Sequence, residues 1–258
     1  MDILRRNRSQ GITSAGLRVW GMLFVAAGII SRCVLQNTIL GLKNASTMDI
    51  LALLNESSAN MILATVAIVL QAAETCAVPI FALLLAEGFL HTKNWKPYLL
   101  RVAVVAVLSE IPYDLATNGS VLNMSAQNPC IGLVIGMVIL YLYSRFSQPT
   151  AAHRLLKAFI LIAAILWAEM LNVEHGTPLV IMVALFWLMR ERPGLRGLIG
   201  GGVALVCTIV SPFYLAASMG CLPVHMYNGE QGEGNRIVNY LAYPVLLLAV
   251  VLAAKYCI

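Results

Sequence analysis

The sequence predicts an all-α polytopic membrane protein with about eight transmembrane helices and both termini in the cytoplasm. Three observations carry that prediction. Of 258 residues, 60% are hydrophobic and 11% charged, whereas soluble domains hold roughly 45–50% apolar and about 25% charged residues. The apolar residues gather in runs at 17–40, 59–90, 97–117, 128–146, 155–173, 177–190, 197–217 and 237–256, most of them near the roughly 20 residues that a spanning helix needs. Threading those runs back and forth puts 14 of the 17 basic residues on one side, and cytoplasmic loops are the ones enriched in Lys and Arg.

The elements follow in order. Arg5, Arg6, Arg8 and Arg18 make residues 1–16 and the start of the first run basic and cytoplasmic. That run is long and has no small-x-small cleavage site, so it reads as a permanent span and not as a signal peptide. The stretch 47–55 (TMDILALLN) is short and amphipathic and is expected to lie along the interface. The second run is too long for one perpendicular span, so a tilt or a kink at Pro79 is expected. Lys93, Lys96 and Arg101 follow it. Arg145, Arg154 and Lys157 lie between the fourth and fifth runs, and Arg190, Arg192 and Arg196 between the sixth and seventh. Lys255 closes the eighth, Lys43 and Arg236 fall on the other side, and Arg32 lies inside the first run. Short loops leave no room for a second domain, so residues 1–258 form one membrane domain with the lipid bilayer as its principal partner.

Several classes drop out. The formal charge of +5 is spread between apolar runs and not concentrated on a patch, so no nucleic-acid partner is expected. No GxGxxG follows a strand, and there is no P-loop or GxSxG. Cys33, Cys76, Cys130, Cys207, Cys221 and Cys257 are scattered and read as small core residues. His153 and His225 read as loop residues, and His175 beside Glu174 as a solvated turn; no pair has zinc-ligand spacing, so no metal site is expected. No internal repeat of the transporter kind is visible.

Charges inside the runs are the functional clue. Arg32, Glu74, Glu87, Glu110 and Glu169 would each cost roughly 2.5–3.5 kcal/mol at bilayer depth, so they must face a polar interior. Arg32 is a counter-charge for Glu74 or Glu169. Glu87 and His91, four apart, share a helix face as either an interfacial ion pair or an acid–base pair. Glu110 and Asp114 flank Pro112 in SEIPYD, which reads either as a kinked helix end or as a carboxylate pair lining a cavity. The outer loop 211–236 carries YNGEQGEGNR, whose glycines allow tight turns and whose Asn228 and Glu230 read as ligand contacts or as a polar connector.

Taken with their order and spacing, AVPIFALLLAEGFLHTKNWKPYLLR, LSEIPYD and YNGEQG resemble the TraX family from about Cys76 to the end. That resemblance implies a bacterial multi-pass cell-membrane protein related to acyltransferases that draw acetyl groups from acetyl-CoA. The family's namesake is associated with acetylation of the conjugative pilin. By the same resemblance, Glu87, Gly88, His91, Thr92 and Arg101 are singled out, as are Glu110, Pro112, Asp114, Tyr227, Asn228, Gly229, Glu230 and Gly232. Glu87, His91, Glu110 and Asp114 become catalytic candidates. Lys93, Lys96 and Arg101 become contacts for the phosphates of acetyl-CoA. Glu74, Glu169, Tyr227, Asn228 and Glu230 become contacts for a membrane peptide or envelope acceptor. One departure stands out: family members carry Asp-His in the first span, where this chain has Gly28 and Ile29. An ion-coupled transporter and a non-catalytic assembly factor remain the rival expectations.

Overall fold

The computed structural model describes residues 11–256; Arg5, Arg6, Arg8 and Cys257 lie outside them. Among the described residues there are eleven α-helices and no β-strand. They are α1 (Ser14–Ile29), α2 (Thr47–Glu56), α3 (Ser58–Glu74), α4 (Ala77–Leu90), α5 (Trp95–Asn118), α6 (Pro129–Arg145), α7 (Ala151–Met170), α8 (Gly176–Leu188), α9 (Pro193–Val206), α10 (Tyr214–His225) and α11 (Arg236–Tyr256). α1 continues as a π-helix over Ile30–Ile39.

Four continuous stretches, Ser14–Ile39, Ser58–Leu90, Ala151–Met170 and Ile237–Tyr256, are long and apolar enough to cross a membrane. Pro129–Arg145, Gly176–Leu188 and Pro193–Ile209 are apolar but shorter. α5 has 24 residues, but Lys96, Arg101, Glu110 and Asp114 dilute its apolar character. α2 starts with a capping box, Ser46 and Asp49 bonding each other's backbone N–H groups, and it buries none of its residues.

The expected kink precedes Pro79. Proline has no N–H to give the Thr75 carbonyl; that carbonyl instead accepts from Val78 N, and the preceding bonds from Thr75 and Cys76 tighten to three-residue spacing. The chain therefore breaks at Thr75–Cys76, between α3 and α4. α4, α6 and α8 meet in the main core, where Ile80, Leu83, Met137, Leu140, Val180, Val183 and Phe186 are almost wholly buried. The described cysteines Cys33, Cys76, Cys130, Cys207 and Cys221 are buried, as expected of core residues.

The seventh run departs from expectation. Instead of one span followed by an outer loop over 211–236, it forms a hairpin, because Pro212 interrupts the helix and α10 turns back along α9. A Cβ on Gly197 would lie 2.4 Å from that of His225, and one on Gly200 would lie 3.2 Å from Cys221 Sγ. These glycines let the two helices touch closely, as small residues do between membrane helices. The return brings the YNGEQG segment to the end of the bundle where α1 begins, called proximal below. There Ile12 N donates to Met226 O at 2.9 Å, Asn228 N to Ile12 O at 3.1 Å, and Ser14 N to Glu230 O at 2.8 Å.

α11 thus starts proximally, with Arg101 of α5 stacked over its Tyr240 at 5.8 Å. It runs alongside α5, and its Ala254 shares a small core with Ala116 and Cys33. Tyr256 therefore ends at the distal face, opposite the start of α1. The hairpin within one apolar run is what sets the end of α11 and the start of α1 at opposite ends of the bundle; neither of its helices is among the four stretches long enough to cross a membrane.

Candidate functional site

One group of charges, Arg32, Glu74 and Glu174, converges at the distal end. In the π-helix each turn is widened, as shown by Leu40 N bonding Leu35 O and Thr38 Oγ1 bonding Cys33 O. From this wide turn Arg32 reaches Glu74 on α3 at 2.5 Å and also pairs with Glu174 in the α7–α8 turn. The pairs are shielded, with the Arg32 side chain 13% exposed and that of Glu74 7%. Tyr113 of α5 donates to the other oxygen of Glu174 at 2.8 Å. Next to Glu174, His175 Nδ1 bonds the Tyr214 hydroxyl of α10 at 2.7 Å, while its Nε2 is buried without a partner.

His175 stands at φ 56°, a left-handed conformation that costs a non-glycine residue free energy and collects at working sites. The conformation turns the ring into a cavity of about 90 Å³, lined also by Gln71, Glu74, Thr75, Ser211, Phe213 and Tyr214. Burial holds the His175 imidazole below its usual pKa, partly offset by the Glu174 charge. Burial pushes the Glu174 pKa up, but the Arg32 guanidinium, His175 and the Tyr113 hydrogen bond together hold that carboxyl below its ordinary range. The resulting state is a neutral imidazole beside the ionised Glu174 carboxylate, which is what a proton acceptor needs.

Glu74, Glu174 and His175 bring their ligand atoms within 4.8 Å of one another, a metal-like spacing. Arg32 already engages both carboxylates, however, and Tyr113 holds Glu174's second oxygen. That leaves Glu74 Oε2 and His175 Nε2 as uncommitted donors, fewer than a closed metal set requires.

The TraX protein family model matches residues 45–254. This chain belongs to the TraX family. The matched range begins after the first span, so Gly28 and Ile29 lie outside it. No curated protein and no solved structure matches the chain.

In this TraX-family chain the residues singled out in the sequence fall into three places. Glu74 is in the distal cluster. Glu169, the other acid proposed for Arg32, points outward and accepts from Thr177 at 2.5 Å. Glu110 and Asp114 sit near the cluster on α5 but do not line its cavity; they hold the 119–128 loop through Asn128 and Asn123.

The third place is proximal. Glu87 is buried against Arg196, whose other nitrogens donate to Met189 O at 3.2 Å and Arg190 O at 2.8 Å. His91 is half exposed, with Nδ1 2.8 Å from Glu87 O and 3.9 Å from its carboxylate. Thr92 Oγ1 donates to Gly88 O. Lys93, Lys96 and Arg101 are exposed. Tyr227 meets Ser14 Oγ at 3.1 Å, and Asn228 and Glu230 bond each other, while Gly229 and Gly232 take φ of 85° and 66°. The YNGEQG segment thereby caps α1.

Sequence reading missed Glu174 and His175 as site residues. The available signal was the shortness of their connection: only Leu171–His175 link two apolar helices, leaving little room for solvated side chains.

Proposed function

We propose that this chain is a multi-pass bacterial cell-membrane acyltransferase that moves an acetyl group from acetyl-CoA to a membrane peptide or envelope acceptor. The observation that carries the reading is the unpartnered, buried Nε2 of His175 facing the Glu74 and Glu174 carboxylates in the distal cavity. The family's first-span acid–histidine pair is absent at Gly28 and Ile29. An acid and a histidine meet instead in space, from α3 and from the α7–α8 turn.

The proximal face is taken as cytoplasmic. By backbone position it holds Arg18 and the loops carrying Lys93, Lys96, Arg145, Arg154, Arg190 and Arg192, and Lys and Arg favour that side. The phosphates of acetyl-CoA would meet Lys93, Lys96 and Arg101 there. Arg101 and Tyr113 are twelve residues apart on α5, about 18 Å at helical rise, and the donor's arm has to span that distance.

In the cavity His175 Nε2 takes the proton of the acceptor's amine or hydroxyl. The freed lone pair attacks the thioester carbonyl, the C–S bond breaks, and the coenzyme thiolate leaves. Arg32 holds Glu74 and Glu174 in place. A dry cavity of about 150 Å³ holds a benzene ring, so about 90 Å³ suits a group the size of acetyl and not a fatty chain.

The test is transfer of labelled acetyl from acetyl-CoA into membrane extract by the purified chain, with His175→Asn alongside. Transfer by the wild type that His175→Asn abolishes is expected. Absence of acyl-donor binding by the wild type defeats the reading.

One observation favours an ion-coupled transporter instead. The breaks at Thr75–Cys76 and before Tyr214 meet at the cavity, where Thr75 Oγ1 donates to Phe213 O at 2.9 Å, and broken helices line transporter sites. Proteoliposome uptake indifferent to loss of Glu74, Glu110 and Glu169 counts against it.

A further inference from the structure

Glu110 and Asp114 lie one turn apart on the same face of α5. Each commits one oxygen to the 119–128 loop. Glu110 Oε2 accepts from the Asn128 side chain and, at 3.5 Å, from its backbone N–H; Asp114 Oδ2 accepts from Asn123 N–H at 2.8 Å. The other two oxygens, Glu110 Oε1 and Asp114 Oδ1, are buried and have no partner. Asp114 is 0% exposed, and Ser109 Oγ, equally buried, is also unpartnered.

Buried polar atoms in native folds are satisfied by protein, water or an ion. Like charges one turn apart also repel. The ion pairs found among the described residues give neither carboxylate a basic partner. Two carboxylates that are each fixed by a loop amide and each keep one bare oxygen are short of positive charge between them.

We propose that Glu110 Oε1 and Asp114 Oδ1 bind a hard divalent cation of the calcium class. Such ions take carboxylate, carbonyl and water oxygens in flexible numbers, which suits a site built on a loop. Val121, Leu122 and Met124 of the loop are exposed, so the loop that both carboxylates hold lies at the distal surface. With few protein ligands the affinity belongs to the weak class, with Kd on the order of 10⁻⁴–10⁻³ M.

The site is coupled to the turn that carries His175. Gln127 N donates to Asn172 O at 2.9 Å, and Glu174 N donates to Gln127 O at 2.9 Å. An ion that pins the loop therefore steadies that turn as well. This assignment stands apart from the acyltransferase reading, because it is read from ion binding.

The experiment is equilibrium dialysis of the full-length chain in nanodiscs against ⁴⁵Ca²⁺, for wild type, Asp114→Asn and the Glu110→Gln/Asp114→Asn double variant. One saturable ion per chain is expected, weakened at least tenfold by Asp114→Asn and lost in the double variant. Hydrogen exchange in wild type should slow at 119–128 and 172–175 on adding Ca²⁺, a readout that does not depend on the variants folding. No saturable ion at millimolar Ca²⁺ overturns the proposal, as does undiminished binding by the double variant. A double variant that is more stable than wild type at every Ca²⁺ concentration also overturns it, since a proton shared between the acids then accounts for the site.

Discussion

The carboxylate of Glu74 occupies the space that a side chain at position 28 would fill: a Cβ built on Gly28 falls 2.1 Å from Glu74 Cδ and from Oε2. No flexible adjustment of Glu74 is available, since its other oxygen is held by Arg32. Position 28 must stay without a side chain for α3 to deliver its charge to the cluster.

Gly28→Ala is accordingly expected to destabilise the protein by about 1–3 kcal/mol, the usual range for overpacking a tight interior. Combining it with Glu74→Ala should recover the steric part, so that the two changes are not additive. Thermal unfolding of the four proteins in detergent closes the cycle. Strict additivity would show that the two sites do not touch.

A second relationship separates structure from chemistry at Glu87. Its partner Arg196 also ties down the carbonyls of Met189 and Arg190, so the pair fastens the α8–α9 turn to α4. Glu87→Gln leaves a buried guanidinium unpaired and is expected to cost about 3–5 kcal/mol. Acetyl transfer per folded molecule should stay near that of wild type. A large loss of turnover with unchanged stability would instead return Glu87 to the chemistry.

Helix content, the break before Pro79 and the burial of the Arg32–Glu74 pair could all be read from apolar runs and misplaced charges. Glu169 could not be sorted from Glu74 on that basis. On α7 only Ala164 and Ala168 are buried, and Glu169, one residue further round, faces away. The α9–α10 hairpin was hidden for a different reason. Reversing the last span moves Arg236 to the crowded side and Lys255 away from it, so the count of 14 basic residues is the same for both threadings (14 − 1 + 1). The charge rule does not tell the two threadings apart. Glu174 and His175 were hidden because their partners Arg32, Tyr113 and Tyr214 come from elements far away in the chain.

The hairpin makes the orientation testable. Reporter fusions in the 190–192 and 229–234 loops are expected on one face, with a fusion after Ile258 on the opposite one. A C-terminal reporter on the same face as 190–192 would mean that α9 and α10 do not form a hairpin across the membrane.

The last expectation concerns protons at His175, whose pKa is lowered by burial from about 6.5. With the folded pKa below the unfolded one, the unfolded chain binds more protons between the two values, so acid favours unfolding there. This contribution is absent well above pH 6.5 and grows as pH falls through the window beneath it. Replacing His175 with Asn removes that component of the pH dependence and flattens stability over the same window. Acetyl transfer should likewise hold steady from neutral pH down to about 6.5 and fall below the folded pKa, where Nε2 carries a proton and cannot accept another. Stability and transfer measured across pH 5–8 on wild type and His175→Asn decide the matter. A transfer rate that falls already between pH 8 and 7 would assign the base to some other group.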